Sequence, residues 1–335
     1  MLKITCFFLF FLSWTPFYGY FGSFFEGGFD GHVLEEKKPA PSCTKEELEE
    51  VVEPYVEPIP PDPFPFLHEM DGAHATLMKD AILESLFDGV TMEFIKSQGI
   101  TRPKRRLRVL DLGCGNGNIS ISLANYLGKK ASIKGIDHDG AKVSEARRRA
   151  RGGNAFNARF DKGTLENLSE IRSSFFDLII CRLFFLDSNR LEDTLNTVTR
   201  LLKQGGKVIF IETVSSDSLS CVPSFSAFEE IKSLITNKLE KRGVQVDMGQ
   251  KLISALYHAG CKIDDVRFFH PVLKTPQEKR FYEMEVHQMK DTLLSEGKYS
   301  EEELDDFIRQ IKEKEHDNYT TFSCYEVAMI SATKR

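Results

Sequence analysis

The 335-residue sequence has no Cys-x-x-Cys pair and no histidine cluster at zinc-ligand spacing, which excludes the common structural zinc modules. It also lacks an excess of positive charge. With 44 basic against 50 acidic residues its formal net charge is −6, so the surface as a whole does not attract nucleic-acid phosphates. No internal repeat is present, which excludes solenoids and propellers. The seven cysteines are scattered and odd in number, a pattern that reads as reduced thiols filling the core of a cytoplasmic protein.

The apolar run at residues 4–14 (ITCFFLFFLSW) has the length of a signal-peptide core and is too short to span a bilayer. A secretory signal, a peripheral membrane anchor and a disordered extension all fit residues 1–34. Secretion, or membrane association through residues 1–20, is therefore the alternative to a cytoplasmic chain. Residues 35–66 are acidic and proline-rich and read as a linker, because such a composition buries too little apolar surface to fold alone.

From residue 67 onward the pattern is that of one domain. Leu67, Met70, Leu77, Ala81 and Leu86 recur at helical spacing, predicting a helix over 67–87. Continuous apolar runs follow at 108–112, 132–137, 176–181 and 207–212, with amphipathic helices at 119–127 and 141–151 between the early ones. Buried strands alternating with helices specify a parallel sheet covered on both faces. The expected fold is therefore α/β, a doubly wound, mostly parallel Rossmann-like sheet. Strands are also expected at 266–270 and 323–331, the last one antiparallel. Residues 276–318 between them read as a helical insertion, and Ser300 with Glu303 predicts a capped helix start.

The chemistry concentrates in Asp111-Leu112-Gly113-Cys114-Gly115-Asn116-Gly117-Asn118, a strand end running through a glycine-rich turn into a helix. Glycine lets the backbone turn tightly and approach a ligand. The spacing is G-x-G-x-G rather than the dinucleotide G-x-G-x-x-G, and Asp111 precedes it. A carboxylate there repels a pyrophosphate and welcomes a ligand carrying an ammonium and a sulfonium. S-adenosyl-L-methionine is thus favoured over a nicotinamide dinucleotide. Asp137, ending the second strand, stands where two ribose hydroxyls could donate to it, or where a helix cap is needed.

The run from Arg108 to Glu212 resembles the class I S-adenosylmethionine-dependent methyltransferase family: VLDLGCGNG, GIDHD, FDLIICRLFFLD and RLLKQGGKVIFIE occur in order at the usual spacings. Met248 to Leu252 with Ala259-Gly260 is similar to a small-molecule subgroup, which also carries a helical insertion before its last strand. The resemblance implies that Asp111, Gly113, Cys114, Gly115, Asn116, Gly117 and Asn118 surround the methionine part of the cofactor. It further implies that Asp137 and His138 meet the ribose, and that Cys181 and Arg182 border the cofactor. The family usually has an Asp for the adenine amino group, and here Thr164 stands in that place.

Methyl transfer from a sulfonium is an in-line displacement, served mainly by alignment and exclusion of water. If the acceptor must lose a proton, the candidate bases are Glu212, His270, His68 and His74, with Arg182 a candidate for polarity. No Asn-Pro-Pro-Tyr-like clamp follows the fourth strand, which counts against nucleic-acid bases and protein amides. The expectation is a methyltransferase acting on a small-molecule acceptor, without a metal. A non-catalytic S-adenosylmethionine-binding regulator or scaffold is the alternative reading. The helix at 67–87 and the insertion at 276–318 are expected to cover the acceptor.

Overall fold

The computed structural model describes residues 70–186, 190–244 and 247–335; the expectations for residues 1–34 and 35–66, and His68, lie outside them. The chain enters through α1 (Gly72–Ser97), where the Asp71 side chain accepts from the His74 amide as N-cap. This helix runs ten residues past the predicted end. Phe94 and Ile95 are buried, so apolar residues on its core face carry it through Gly89, whose cost in a helix is modest.

Five parallel strands follow: β1 (Leu107–Leu112), β2 (Ala131–Asp137), β3 (Ala158–Lys162), β4 (Phe176–Arg182) and β5 (Leu202–Thr213). Their connections carry α2 (Asn118–Leu127), α3 (Gly140–Gly152) and α4 (Leu191–Leu201). Val109, Leu110, Ile179, Ile180, Val208, Ile209, Phe210 and Ile211 are wholly buried. Consecutive burial means that both faces of the sheet are covered, as the unbroken apolar runs require. Beyond β5 lie β6 (Ser220–Val222), α5 (Ser226–Lys241), α6 (Met248–His258), β7 (Cys261–Phe269) and β8 (Val272–Leu273). The insertion forms α7 (Pro276–Lys279), α8 (Phe281–Ser295) and α9 (Glu301–Glu315), followed by β9 (Thr321–Ser323) and β10 (Val327–Lys334).

The main sheet has the order β3-β2-β1-β4-β5-β10-β7, with β10 antiparallel to both neighbours. The expected single strand at 323–331 is thus two. The Cys324 amide donates to Pro271 and the Val214 amide to Glu326, turning the chain so that β9 joins a small sheet with β6 and β8 while β10 enters the main one. The remaining predicted elements are present, and Ser300 and Glu303 form the expected capping box on α9.

Strand order reverses between β1 and β4, so the crevice outside their carboxyl ends is where an open α/β sheet binds ligands. On one face α1 lies across α2 and against α8, and α8 packs in turn on α5 and α9. On the other face α4 and α6 cover the sheet, with Leu195, Val198, Leu252 and Leu256 buried against it.

Candidate active site

A cleft of about 430 Å³ opens at this switch point, within the range that holds a small cofactor. Its floor is the glycine-rich turn. Gly113, Gly115 and Gly117 all have positive φ, at 76°, 50° and 83°, the left-handed region glycine enters at little cost. A Cβ at Gly117 would come within 2.8 Å of Ala146 and 2.9 Å of Phe160, so the helix behind the turn can pack closely only because that residue has no side chain.

Four of the turn's amides are already used. Gly113 N and Cys114 N both donate to the Ile136 carbonyl (2.8 and 3.1 Å), Gly117 N donates to Cys114 O (2.9 Å), and Gly115 N donates to Asp137 Oδ2 (2.8 Å). A phosphate-binding turn needs such amides free and aimed at the anion. This one is tied back to β2.

Beneath it, Asp111 is 3% exposed and accepts from Ser120 Oγ at 2.7 Å. Burial raises its carboxyl to about 6, against the lowering effects of the Ser120 hydrogen bond and the Arg182 charge. Near neutral pH it is therefore mostly a carboxylate held in a dry site, and a cation placed beside it would be strongly favoured.

Asp137 is also nearly buried. One oxygen takes the Gly115 amide and the other the Asp139 amide at 2.9 Å. A carboxylate has about four acceptor positions, so these two bonds fix its orientation and leave lone pairs for a ligand. His138 lies beside it, Nδ1 3.4 Å from Oδ1, and is largely exposed. Asp139, not Asp137, caps α3 through bonds from Ala141 N and Lys142 N.

Asp111, Gly113, Cys114, Gly115, Asn116, Asn118, Asp137, His138, Thr164 and Arg182 all line the cleft, whereas Gly117 and Cys181 do not. Gly117 is the N-cap of α2. Cys181 is wholly buried within the sheet, in register with Leu112 and Phe210. Thr164 sits just past β3, its hydroxyl donating to Glu166 at 2.5 Å and its amide to Asn167 Oδ1 at 2.8 Å. Arg182 pairs with Asp88 of α1 at 2.5 Å, which balances its charge at the rim.

Of the described candidate bases, Glu212, His270 and His74, none lines the cleft. Glu212 is fully buried and accepts from the amides of Phe184 and Phe185. His270 is exposed, its Nε2 donating to the Ser218 carbonyl. His74 is exposed at the start of α1 beside Asp71. Proximity of these groups to a reacting atom was never encoded by spacing in the chain.

This α1 helix was expected over the acceptor, but none of its acidic residues was singled out from the sequence. Asp80, Leu83 and Glu84 form a wall of the cleft, and Asp80, Glu84 and Asp88 recur every four residues, sharing one helical face. Asp80 pairs with Lys142 at 2.8 Å, Glu84 with Arg149 at 3.2 Å and Asp88 with Arg182. Asn116 and Asn118 donate to Glu84 and Asp88 at 3.1 and 3.0 Å, binding the turn to the helix. The signal was present as a polar stripe, but apolar periodicity finds only the opposite face. Glu166 and Arg190, an ion pair, and Lys142 also line the cleft.

Of the two segments expected to cover the cleft, only α1 contributes residues to its lining. The insertion stands behind it. Phe281, Met284, Met289, Leu293, Leu304 and Ile308 are buried in the same apolar cluster as Ile82 and Phe87 of α1.

The class these features define is that of methyltransferase-domain proteins. A family model described as a methyltransferase domain matches residues 103–285, and the chain belongs to the class I S-adenosylmethionine-dependent methyltransferase family. Among curated proteins it is 31% identical over 128 residues to the arsenite methyltransferase of Mus musculus, covering 35% of this chain and 34% of that protein. It is 23% identical over 159 residues to the ubiquinone/menaquinone biosynthesis C-methyltransferase of Wigglesworthia glossinidia brevipalpis, covering 40% of this chain and 60% of that one. The chain thus spans between a third and three-fifths of these relatives. Among solved structures, the YcgJ protein from Bacillus subtilis superposes with a TM-score of 0.50 at 19% identity, covering 72% of this chain and 96% of that one, which is a likeness of fold. Among the described residues no helix is long and apolar enough to cross a membrane, and no group of acidic, histidine and cysteine side chains could hold a metal ion.

Proposed function

We propose that the protein binds S-adenosyl-L-methionine in this cleft and transfers its methyl group to a small-molecule acceptor by in-line displacement. The observation that carries the reading is the pairing of a buried carboxylate, Asp111, with a glycine turn whose amides at 113, 114, 115 and 117 are spent within the protein. Such a floor has little to offer a pyrophosphate and much to offer an ammonium.

In this reading the methionine end of the cofactor lies over Gly113, Cys114 and Gly115, its ammonium towards Asp111. The ribose hydroxyls donate to the open lone pairs of Asp137, with His138 alongside. The adenine lies near Thr164, whose hydroxyl stands in for the family's usual Asp. Asn116, Asn118 and Arg182 hold α1 closed over the whole. The protein's part in the transfer is alignment and exclusion of water. Glu212, buried and outside the cleft lining, is given no role as a base in this reading.

Titration calorimetry tests the cofactor. S-adenosylmethionine and S-adenosylhomocysteine should bind and NAD should not; NAD heat without S-adenosylmethionine heat would end the reading. Labelled S-adenosylmethionine incubated with a small-molecule extract then tests turnover. Binding with no labelled product would favour the non-catalytic scaffold.

A further inference from the structure

Glu212 is the one carboxylate at the carboxyl end of β5, and it is 0% exposed. Two features make its position unusual. Both of its oxygens are spent on consecutive backbone amides, Phe184 N at 2.9 Å and Phe185 N at 3.3 Å. Immediately before them Leu183 has φ +50°, a conformation that an L residue with a branched side chain avoids. Leu183 N donates to Ile211 O at 2.8 Å, so the chain leaving β4 is held on β5 at three successive amides.

The segment held this way reaches the cleft. Leu183 and Phe184 line it next to Arg182. The Phe184 ring lies against the glycine turn, its Cδ2 only 3.0 Å from where a Cβ on Gly113 would stand. Phe185 is buried beside it, its ring edge-on to Phe184 at 5.4 Å and stacked on Phe210. One ring at the cleft and the next buried in the core, directly after a left-handed residue, need that turn fixed. A buried acid carries a desolvation cost, and here the two amide bonds offset it only if the turn keeps both N–H groups aimed at it.

We infer that Glu212 is a positioning residue for the cofactor site: by clamping the amides of Phe184 and Phe185 it holds Leu183 in its left-handed turn and sets Phe184 against the Gly113 floor. The inference rests on the reading of the cleft as a cofactor site. It assigns Glu212 no contact with substrate and no proton transfer. Burial pushes its carboxyl well above the usual range, and the two amide bonds oppose that shift.

Two readouts on the full chain separate the clamp from the function. Amide hydrogen exchange at Phe184 and Phe185 reports the clamp with no ligand present, and the dissociation constant for S-adenosylhomocysteine reports its consequence. Glu212→Gln keeps one acceptor and turns an amide donor towards the other N–H. It should speed exchange at these two amides and weaken S-adenosylhomocysteine at least about tenfold, the scale of a misplaced contact. Phe184→Ala leaves Glu212 and both bonds in place. It should weaken the ligand by a similar factor with exchange protection retained. Unchanged exchange in Glu212→Gln overturns the clamp. Unchanged ligand affinity in Phe184→Ala overturns the positioning role, even if the Glu212 variant does not fold. A wild-type protein that binds no S-adenosylhomocysteine sinks the cofactor reading instead, while the exchange data still decide whether Glu212 holds the turn.

Discussion

Asp137 anchors backbone and, in the proposed reading, also takes the ribose hydroxyls. Its oxygens anchor the Gly115 and Asp139 amides, so the carboxylate is aimed before any ligand arrives, and pre-aimed acceptors lose little entropy on binding. Replacing it by Ala should weaken S-adenosylmethionine by about 1 to 3 kcal/mol, the range for charge-assisted hydrogen bonds, while the chain still melts cooperatively. Calorimetry on Asp137→Ala gives the answer, and an unchanged dissociation constant would show the ribose to be held elsewhere. That Asp137 ends the second strand was legible in the chain. The anchoring was not, because which amides surround a carboxylate depends on how β2 lies beside β1.

At the scale of elements, the helices of the insertion are joined by charge as well as by apolar contact. Glu285 of α8, nearly buried, bridges Lys79 of α1 and Lys238 of α5, each at 3.0 Å, so three helices share one buried anion. Next to it, Glu283 lies between Arg280 at 2.9 Å and Lys312 at 3.0 Å. Glu315 is also buried, and its Oε1 has no hydrogen-bond partner. Burial first, and the Glu283 charge second, raise the Glu315 carboxyl to about 8. The folded chain therefore binds a proton there that the unfolded chain, with an ordinary Glu, has released above about 4.5. Its contribution to stability is complete below that value and is lost as pH rises towards 8. Thermal melts should show Glu315→Gln keeping more of its pH 5 midpoint at pH 8 than the wild type does, by a few degrees. Parallel pH dependence in the two proteins would mean that Glu315 is not the titrating group.

Across the whole molecule, the cleft depends on parts that do not touch it. The wall supplied by α1 is held in front by ion pairs to Lys142, Arg149 and Arg182 and backed by α8. Replacing residues 276–318 by a short Gly-Ser linker removes the backing and exposes Ile82 and Phe87, both buried in the intact chain. Burial of such side chains is worth about 1.5 to 3 kcal/mol each, more than surface ion pairs supply. The shortened protein should therefore bind S-adenosylhomocysteine far more weakly, with fast exchange along α1. Wild-type affinity in that variant would show that the three ion pairs suffice to keep α1 in place.

The sequence by itself determined the alternation of strands and helices from 108 to 212, the G-x-G-x-G turn with Asp111 below it, and the cap at Ser300. Each is local: periodicity, a glycine's freedom and a four-residue cap need no distant partner. Only the tertiary structure decided that residues 321–334 divide between two sheets, that Glu212 and His270 lie outside the cleft, and that an acidic face of α1 completes it. Those outcomes depend on packing between segments as far apart as Asp88 and Arg182, where hydrogen bonds and charges must be satisfied jointly. No spacing along the chain records such a meeting.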